Sequence, residues 1–513
     1  MRREYTPWAL VWPIWLGAAL CLLPMMGIIV SAFGAGSGTI THLAETVLPR
    51  YIGTTLILVV SVALGTGAIG TSAAWLVTMT DMPGRRTIEI ALVLPLAFPA
   101  YVLAYAYTHI LDHPGVVQAT LRDLTGWGPR DYWFPEIRST GGAAAMLIFV
   151  LYPYVYLLAR AAFLGQSATV FHAARALGRT PWQAFFAISL PMARPAIAGG
   201  MLLATMETIA DFGTVSFFGV QTFTTGIYQS WLALGDRPAA AQLSLCLLAF
   251  ALALVALERR SRGNASFQAG RKVEALTPIS LGRGVRWVAF TWCLAPILVG
   301  VVIPVIALTS MAIGSEQDLL SARYLGFIQN SLILAGAGAF FTVFGAILIG
   351  YGRWLVSRRG VALAAAIARI GYALPGGVIA VGLLVPFAAF DNALDATLRE
   401  RFGISSGLLL TGSIWVLVMA YVIRFMAAAL GAYEAGQVGV NRNLDAAART
   451  LGRGTFGTLA RVHLPIVRPA VFTAFLIVFV DVMKELPATL IMRPFNYDTL
   501  AIQAHRLASD ERL

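Results

Sequence analysis

His172-Ala173-Ala174-Arg175-Ala176-Leu177-Gly178-Arg179 returns 274 residues later as Ala446-Ala447-Ala448-Arg449-Thr450-Leu451-Gly452-Arg453. The same punctuation follows each copy. Ile188-Ser189-Leu190-Pro191 stands in one and Val462-His463-Leu464-Pro465 in the other, then Arg194-Pro195-Ala196 and Arg468-Pro469-Ala470. Paired alanines let a partner surface approach closely. Gly178 and Gly452 suit the left-handed residue that ends a helix. Thr180-Pro181 reads as an N-cap followed by proline at the first helical position. Pro191 and Pro465 are expected to close this second helix, and Pro195 and Pro469 to open the next.

Upstream the repeat continues. Tyr51-Ile52-Gly53-Thr54-Thr55-Leu56-Ile57-Leu58 is similar to Phe327-Ile328-Gln329-Asn330-Ser331-Leu332-Ile333-Leu334, and Pro24 and Gly34 match Pro304 and Gly314. The small drift in offset reflects short loop insertions. The chain is therefore written twice.

The medium in which it folds follows from composition. Of 513 residues, 58% are hydrophobic and only 12% charged, against roughly 25% charged in soluble domains. That excludes an ordinary cytosolic enzyme, a disordered chain and a disulfide scaffold. Cys21, Cys246 and Cys293 stand alone in apolar runs and form no metal or disulfide pattern. A bilayer core of about 30 Å takes about 20 helical residues. Apolar stretches of that length lie near 9–33, 52–80, 88–111, 141–164, 194–218 and 239–257, and again near 286–313, 327–356, 368–390, 407–431 and 466–492. The first is longer than the apolar part of a signal peptide and has a counterpart in the second half, so it belongs to the mature protein.

Formal charge is +12. Arg2 and Arg3, Arg85 and Arg86, Arg175, Arg179, Arg194, Arg358 and Arg359 fall in alternate loops, as does the basic segment 258–285. This reads as positive-inside bias rather than a nucleic-acid surface, and puts the N-terminus in the cytoplasm. The expected fold is all-α and polytopic: two parallel six-helix repeats, 1–257 (core 51–257) and 286–513 (core 327–513), joined by a cytoplasmic linker 258–285. An even number of spans per repeat makes the halves parallel, with a pathway between them. Residue 513 corresponds to the start of the sixth span of the first repeat, so the repeat predicts a twelfth span beyond it.

Acids inside apolar spans cost about 2.5–3.5 kcal/mol each at a helix centre. Glu207 and Asp211 are four apart, which on a continuous helix places them on one face. The same spacing recurs at Asp481 and Glu485, with Lys484 beside them. Two readings stand: a cation pathway or gate lined from both halves, or a structural lock. His109, Asp112 and His113 share a helix face by spacing and could ligate a metal, with Tyr101 and Tyr105 nearby; the alternative is interfacial anchoring.

The spacing Ala-Ala-x3-Gly-x9-Ile/Val-x-Leu-Pro, found twice, resembles the coupling loop of ATP-binding-cassette (ABC) importer permeases. Loops 168–191 and 442–465 would then dock on an ATPase through His172, Ala173, Ala174, Gly178, Leu190, Pro191, Asp445, Ala447, Ala448, Gly452, Leu464 and Pro465. The acid that opens the family motif is replaced by His172 and Ala446, and Asp445 stands one residue early. Thr208-Ile209-Ala210-Asp211-Phe212-Gly213-Thr214, Phe223-Thr224-Thr225-Gly226-Ile227-Tyr228 and the stretch from Asp481 to Leu500 are similar to fused permeases of bacterial ferric-iron importers. The resemblance implies the type I importer permease fold, a periplasmic iron-binding protein, two copies of a separate ATPase carrying ATP and magnesium, and no cofactor on this chain. Fused thiamine permeases share the architecture and are the alternative.

Lys272 and Lys484 are the only lysines, and neither follows glycine, so the chain has no P-loop. A proton-coupled carrier would use the intramembrane acids but would not need two docking loops.

Overall fold

The computed structural model describes residues 8–33, 45–128, 130–166, 176–262, 278–314, 321–356 and 358–510. In the first half the helices are α1 (Trp8–Phe33), α2 (Leu48–Met79), α3 (Arg85–Ala91), α4 (Ala100–Leu111), α5 (Val116–Thr125), α6 (Thr140–Leu164), α7 (Leu190–Ala210), α8 (Gly213–Phe217) and α9 (Arg237–Arg262). The second half adds α10 (Arg283–Ile297), α11 (Ile303–Gly314), α12 (Ala322–Leu355), α13 (Arg359–Ala368), α14 (Gly376–Phe402) and α15 (Ile414–Gln437). It ends with α16 (Arg442–Thr450), α17 (Leu464–Met483), α18 (Pro487–Met492) and α19 (Leu500–Ser509). Among the described residues ten helices are long and apolar enough to cross a bilayer, or eleven with the bent pair 85–97 and 100–125 taken as one.

Besides the spans that carry Asp211 and Glu485, three of the expected spans change shape for local reasons. The run 88–111 is not continuous: it bends by 94° between Ala97 and Ala100, where Pro95 and Pro99 each remove an amide donor. The run 407–431 starts late, at Ile414, because Leu410 and Thr411 lie in a loop. Their amides are taken by the fully buried Asp391 at 2.9–3.1 Å. The span near 368–390 begins only at Gly376, after Pro375.

The chain forms two compact units that do not coincide with its two halves. Unit one comprises residues 1–46, 226–248 and 318–504; unit two comprises 47–225, 249–317 and 505–513. In unit two, α2, α6 and α7 pack on one another, and α10 lies against α2 and α3. In unit one the corresponding trio is α12, α15 and α17, and α1 lies against α12, α13 and α14. The first helix of each half thus completes the core built mainly from the other. Backbone proximity explains α1: a Cβ at Gly27 would overlap the Gly382 carbonyl, and one at Gly382 would overlap the Pro24 carbonyl. Small residues at a helix crossing maximise such packing in lipid. Gly382→Leu is expected to dislodge α1 and lower the yield of folded protein at least about tenfold, since overpacking against backbone has no side chain to yield. Size-exclusion profiles of the solubilised variant would check this.

The repeat extends to ion pairs with the sign reversed. Arg160 on α6 pairs with Glu89 on α3 in unit two. The position 274 residues later is Glu434 on α15, which pairs with Arg369 at the end of α13 in unit one. The end of the expected linker is ordered: Ile279 bridges Thr80, and the Leu281 amide bonds Asp81 at 2.9 Å. That amide and the paired Arg286 hold the Asp81 carboxyl below its usual range.

Candidate functional site

The two coupling turns share a left-handed glycine. His172, Ala173 and Ala174 lie outside the described residues. Gly178 and Gly452 have φ of +82° and +74°, the left-handed region that L side chains avoid. In the second half the turn is complete: the Gly452 amide bonds Arg449 O and the Arg453 amide bonds Ala448 O, both at 3.0 Å. This is the Schellman closure of α16. In the first half Thr180 and Gln183 cap each other, the Gln183 amide donating to Thr180 Oγ1 and the Thr180 amide to Gln183 Oε1, a reciprocal capping box.

Pro191 and Pro465 do not close the following helix. One continuous helix runs over Trp182–Ala210 and another over Thr455–Met483. In each, a widened π-helical turn, Phe185–Ser189 or Leu459–His463, stands immediately before Leu-Pro. A proline ring clashes with the carbonyl four residues back in a regular α-turn, and widening relieves the clash. The coupling turn is therefore rigidly continuous with the span behind it.

The intramembrane acids do not form two pairs on helix faces. α7 ends at Ala210, and Asp211 is extended, with ψ 131°. Its carboxylate accepts from the amides of Thr214 and Val215 and from the Thr214 hydroxyl at 3.0–3.1 Å. α17 ends at Met483, and Glu485 does the same for Ala488, Thr489 and the Thr489 hydroxyl at 2.7–3.0 Å. Both acids hold the amides three and four residues on. They break the span and cap the short helix that follows, α8 or α18. Glu207 and Asp481 remain on the last turns of α7 and α17, and Asp481 pairs with Lys484 at 3.0 Å.

Sequence reasoning missed what surrounds Glu485. Arg424 of α15, 8% exposed, has Nη1 at 3.9 Å from Glu485. The Tyr421 hydroxyl bonds Thr489 Oγ1 at 2.6 Å, and the Tyr228 hydroxyl donates to Pro487 O. An arginine in an apolar run was the available signal.

The His109, Asp112 and His113 set is not assembled for a metal. α4 stops at Leu111, so Asp112 and His113 leave the helix face assumed for them. Asp112 Oδ2 is 3.0 Å from Arg138 Nε, and its Oδ1 accepts the His113 amide. No group of three metal-ligating side chains is arranged for an ion among the described residues.

Residues 66–261 match the family of binding-protein-dependent transport system inner membrane components. The chain is 30% identical over 190 residues to the molybdenum transport system permease protein ModB of Escherichia coli, covering 79% of that protein and 36% of this one. The chain belongs to this permease family. The permease is also 26% identical over 519 residues to the Fe(3+)-transport system permease protein FbpB 2 of Haemophilus influenzae, covering 99% of this chain and 94% of that one. It is 23% identical over 429 residues to the ferric transport system permease protein FbpB of Actinobacillus pleuropneumoniae, covering 78% of this chain and 58% of that one. Such permeases are multi-pass inner-membrane subunits, not enzymes, and work with an ABC ATPase and a periplasmic binding protein.

Proposed function

We propose that this permease forms the membrane channel of an ATP-driven importer for ferric iron, loaded by a periplasmic iron-binding protein. Two copies of a separate ATPase, carrying ATP and magnesium, dock on the two coupling turns; the chain itself needs no cofactor. The N-terminus lies in the cytoplasm, the side on which basic loops accumulate. Closure of the ATPase dimer would move the two turns and shift the spans between inward and outward access, a two-state equilibrium biased from another chain.

The observation that carries the importer reading is the coupling turn itself. It occurs twice at one spacing, with a left-handed glycine and a π-turn before Leu-Pro each time. Similarity to FbpB 2 along nearly the whole chain supports iron over other cargo. The acids fit a supporting role better than a continuous cation path, because Asp211 and Glu485 spend their lone pairs on backbone amides. The test is uptake by vesicles containing permease, ATPase and binding protein. Labelled ferric iron should accumulate with ATP while labelled thiamine does not. Thiamine accumulation, or iron uptake driven by a proton gradient without ATP, would overturn the proposal.

A further inference from the structure

The one acid of the second coupling helix faces inward. Asp445 is 6% exposed. Its Oδ1 lies 2.6 Å from His463 Nε2, and its Oδ2 accepts the Trp354 indole N–H at 2.7 Å. His463 is fully buried, edge-on to Tyr351 with ring centroids 4.8 Å apart. The Tyr351 hydroxyl in turn donates to Thr455 O at 3.0 Å. Three elements meet here: α16 through Asp445, the π-turn leading into α17 through His463, and the end of α12 through Trp354. All belong to unit one.

This arrangement sorts the faces of α16. Asp445 and Ala448, three apart, are buried; Asn443, Leu444, Ala446, Ala447, Arg449 and Thr450 are exposed. The exposed face carries no carboxylate, since Asp445 is the only acid from 442 to 450.

In sequence the first half lacks the residues of this joint. The counterparts of Asp445 and His463, 274 residues upstream, are Phe171, outside the described residues, and Ser189; that of Trp354, 276 residues upstream as for the rest of α12, is Thr78. The described part of its coupling segment makes apolar contact: Trp182 and Phe185 lie against Trp75 with centroids 4.9 and 4.8 Å apart. Hydrogen bonds to a buried carboxylate are directional and costly to leave unmade, whereas aromatic contact tolerates sliding.

We propose that Asp445 is a positioning residue that, through His463 and Trp354, fastens the second coupling helix to its own membrane unit, leaving the ATPase to meet a carboxylate-free face of alanine and leucine flanked by Arg449. The proposal rests on the importer reading above. It follows that the missing motif acid is not replaced by Asp445 at the ATPase surface, and that the ATPase surface receiving α16 offers hydrogen-bond acceptors to Arg449 rather than a base to an acid.

The fastening is tested first on the permease alone, by a double-mutant cycle of Asp445→Ala and His463→Phe read as thermal unfolding in detergent. The expected result is that the double variant loses no more stability than the worse single one. Losses that simply add would overturn the fastening. In the complex, Asp445→Ala and His463→Phe should retain bound ATPase while binding-protein-stimulated ATP hydrolysis falls about tenfold, because the stroke no longer reaches α17. His463→Gln, which keeps a donor at similar reach, should stay within about threefold of the parent. Ala447→Glu on the outer face should release the ATPase. If Asp445→Ala releases the ATPase as Ala447→Glu does, Asp445 is a docking acid and the proposal fails. A parent chain that binds no ABC ATPase would defeat the importer reading instead, and the cycle would still decide the fastening.

Discussion

Valine at both Gly178 and Gly452 is expected to leave a folded, membrane-inserted permease whose transport falls at least about tenfold, as backbone strain of 1–3 kcal/mol per site would produce. The effect should be local because of what surrounds these residues. A Cβ at either position meets none of the described residues within 4 Å, so the described core feels no clash. The whole penalty comes from φ of +82° and +74°, which a β-branched residue escapes only by rearranging the turn. In the second half that rearrangement also forfeits the two hydrogen bonds that close α16. The turn is where the ATPase would push, so docking or stroke is lost while the spans persist. Transport and stimulated ATP hydrolysis in reconstituted vesicles, with size-exclusion of the same preparation, separate these outcomes. Normal transport by the double variant would show that the turns do not couple.

Glu485→Ala is expected to cost about 3–5 kcal/mol of stability, the range for stripping one partner from a buried ion pair. Three hydrogen bonds to the start of α18 disappear with it, and Arg424 loses the carboxylate beside it. Asp211→Ala should cost less, about 1–3 kcal/mol, because it leaves amides of a short helix unsatisfied without stranding a charge across an ion pair. Glu207→Gln with Asp481→Asn should leave unfolding within about 1 kcal/mol of the parent, since the Asp481 and Lys484 pair is partly exposed. Thermal unfolding in detergent ranks the four positions. An unaltered midpoint for Glu485→Ala would contradict its capping role. Iron uptake by the double amide variant then decides whether Glu207 and Asp481 serve the pathway: unchanged uptake by a well-assembled complex would exclude them.

Much of this protein could be read from its residues in order. Apolar length marked nearly every span, and the 274-residue repeat marked the two coupling turns. Gly178 and Gly452 announced their left-handed conformation, since a motif that ends a helix twice at glycine meets a steric constraint legible in one residue. These features depend on neighbours within a few positions. The errors came where a local pattern had two outcomes. Glu207 and Asp211 share a face only if the helix continues, and it stops because the Asp211 carboxylate bonds amides further along. His109, Asp112 and His113 failed for the same reason, with α4 ending at Leu111.

Other features had no local trace at all. That Asp445 turns inward depends on His463, eighteen residues on, and on Trp354 at the end of another helix. That α1 completes a core made largely from the second half depends on two glycines, Gly27 and Gly382, meeting backbone to backbone. The medium, the spans and the doubled turn were legible in the residues alone, because transfer of apolar side chains and backbone sterics act residue by residue. Which way each acid faces and which helices share a core depended on the folded chain, because a buried charge or a bare backbone settles wherever distant segments supply its partner.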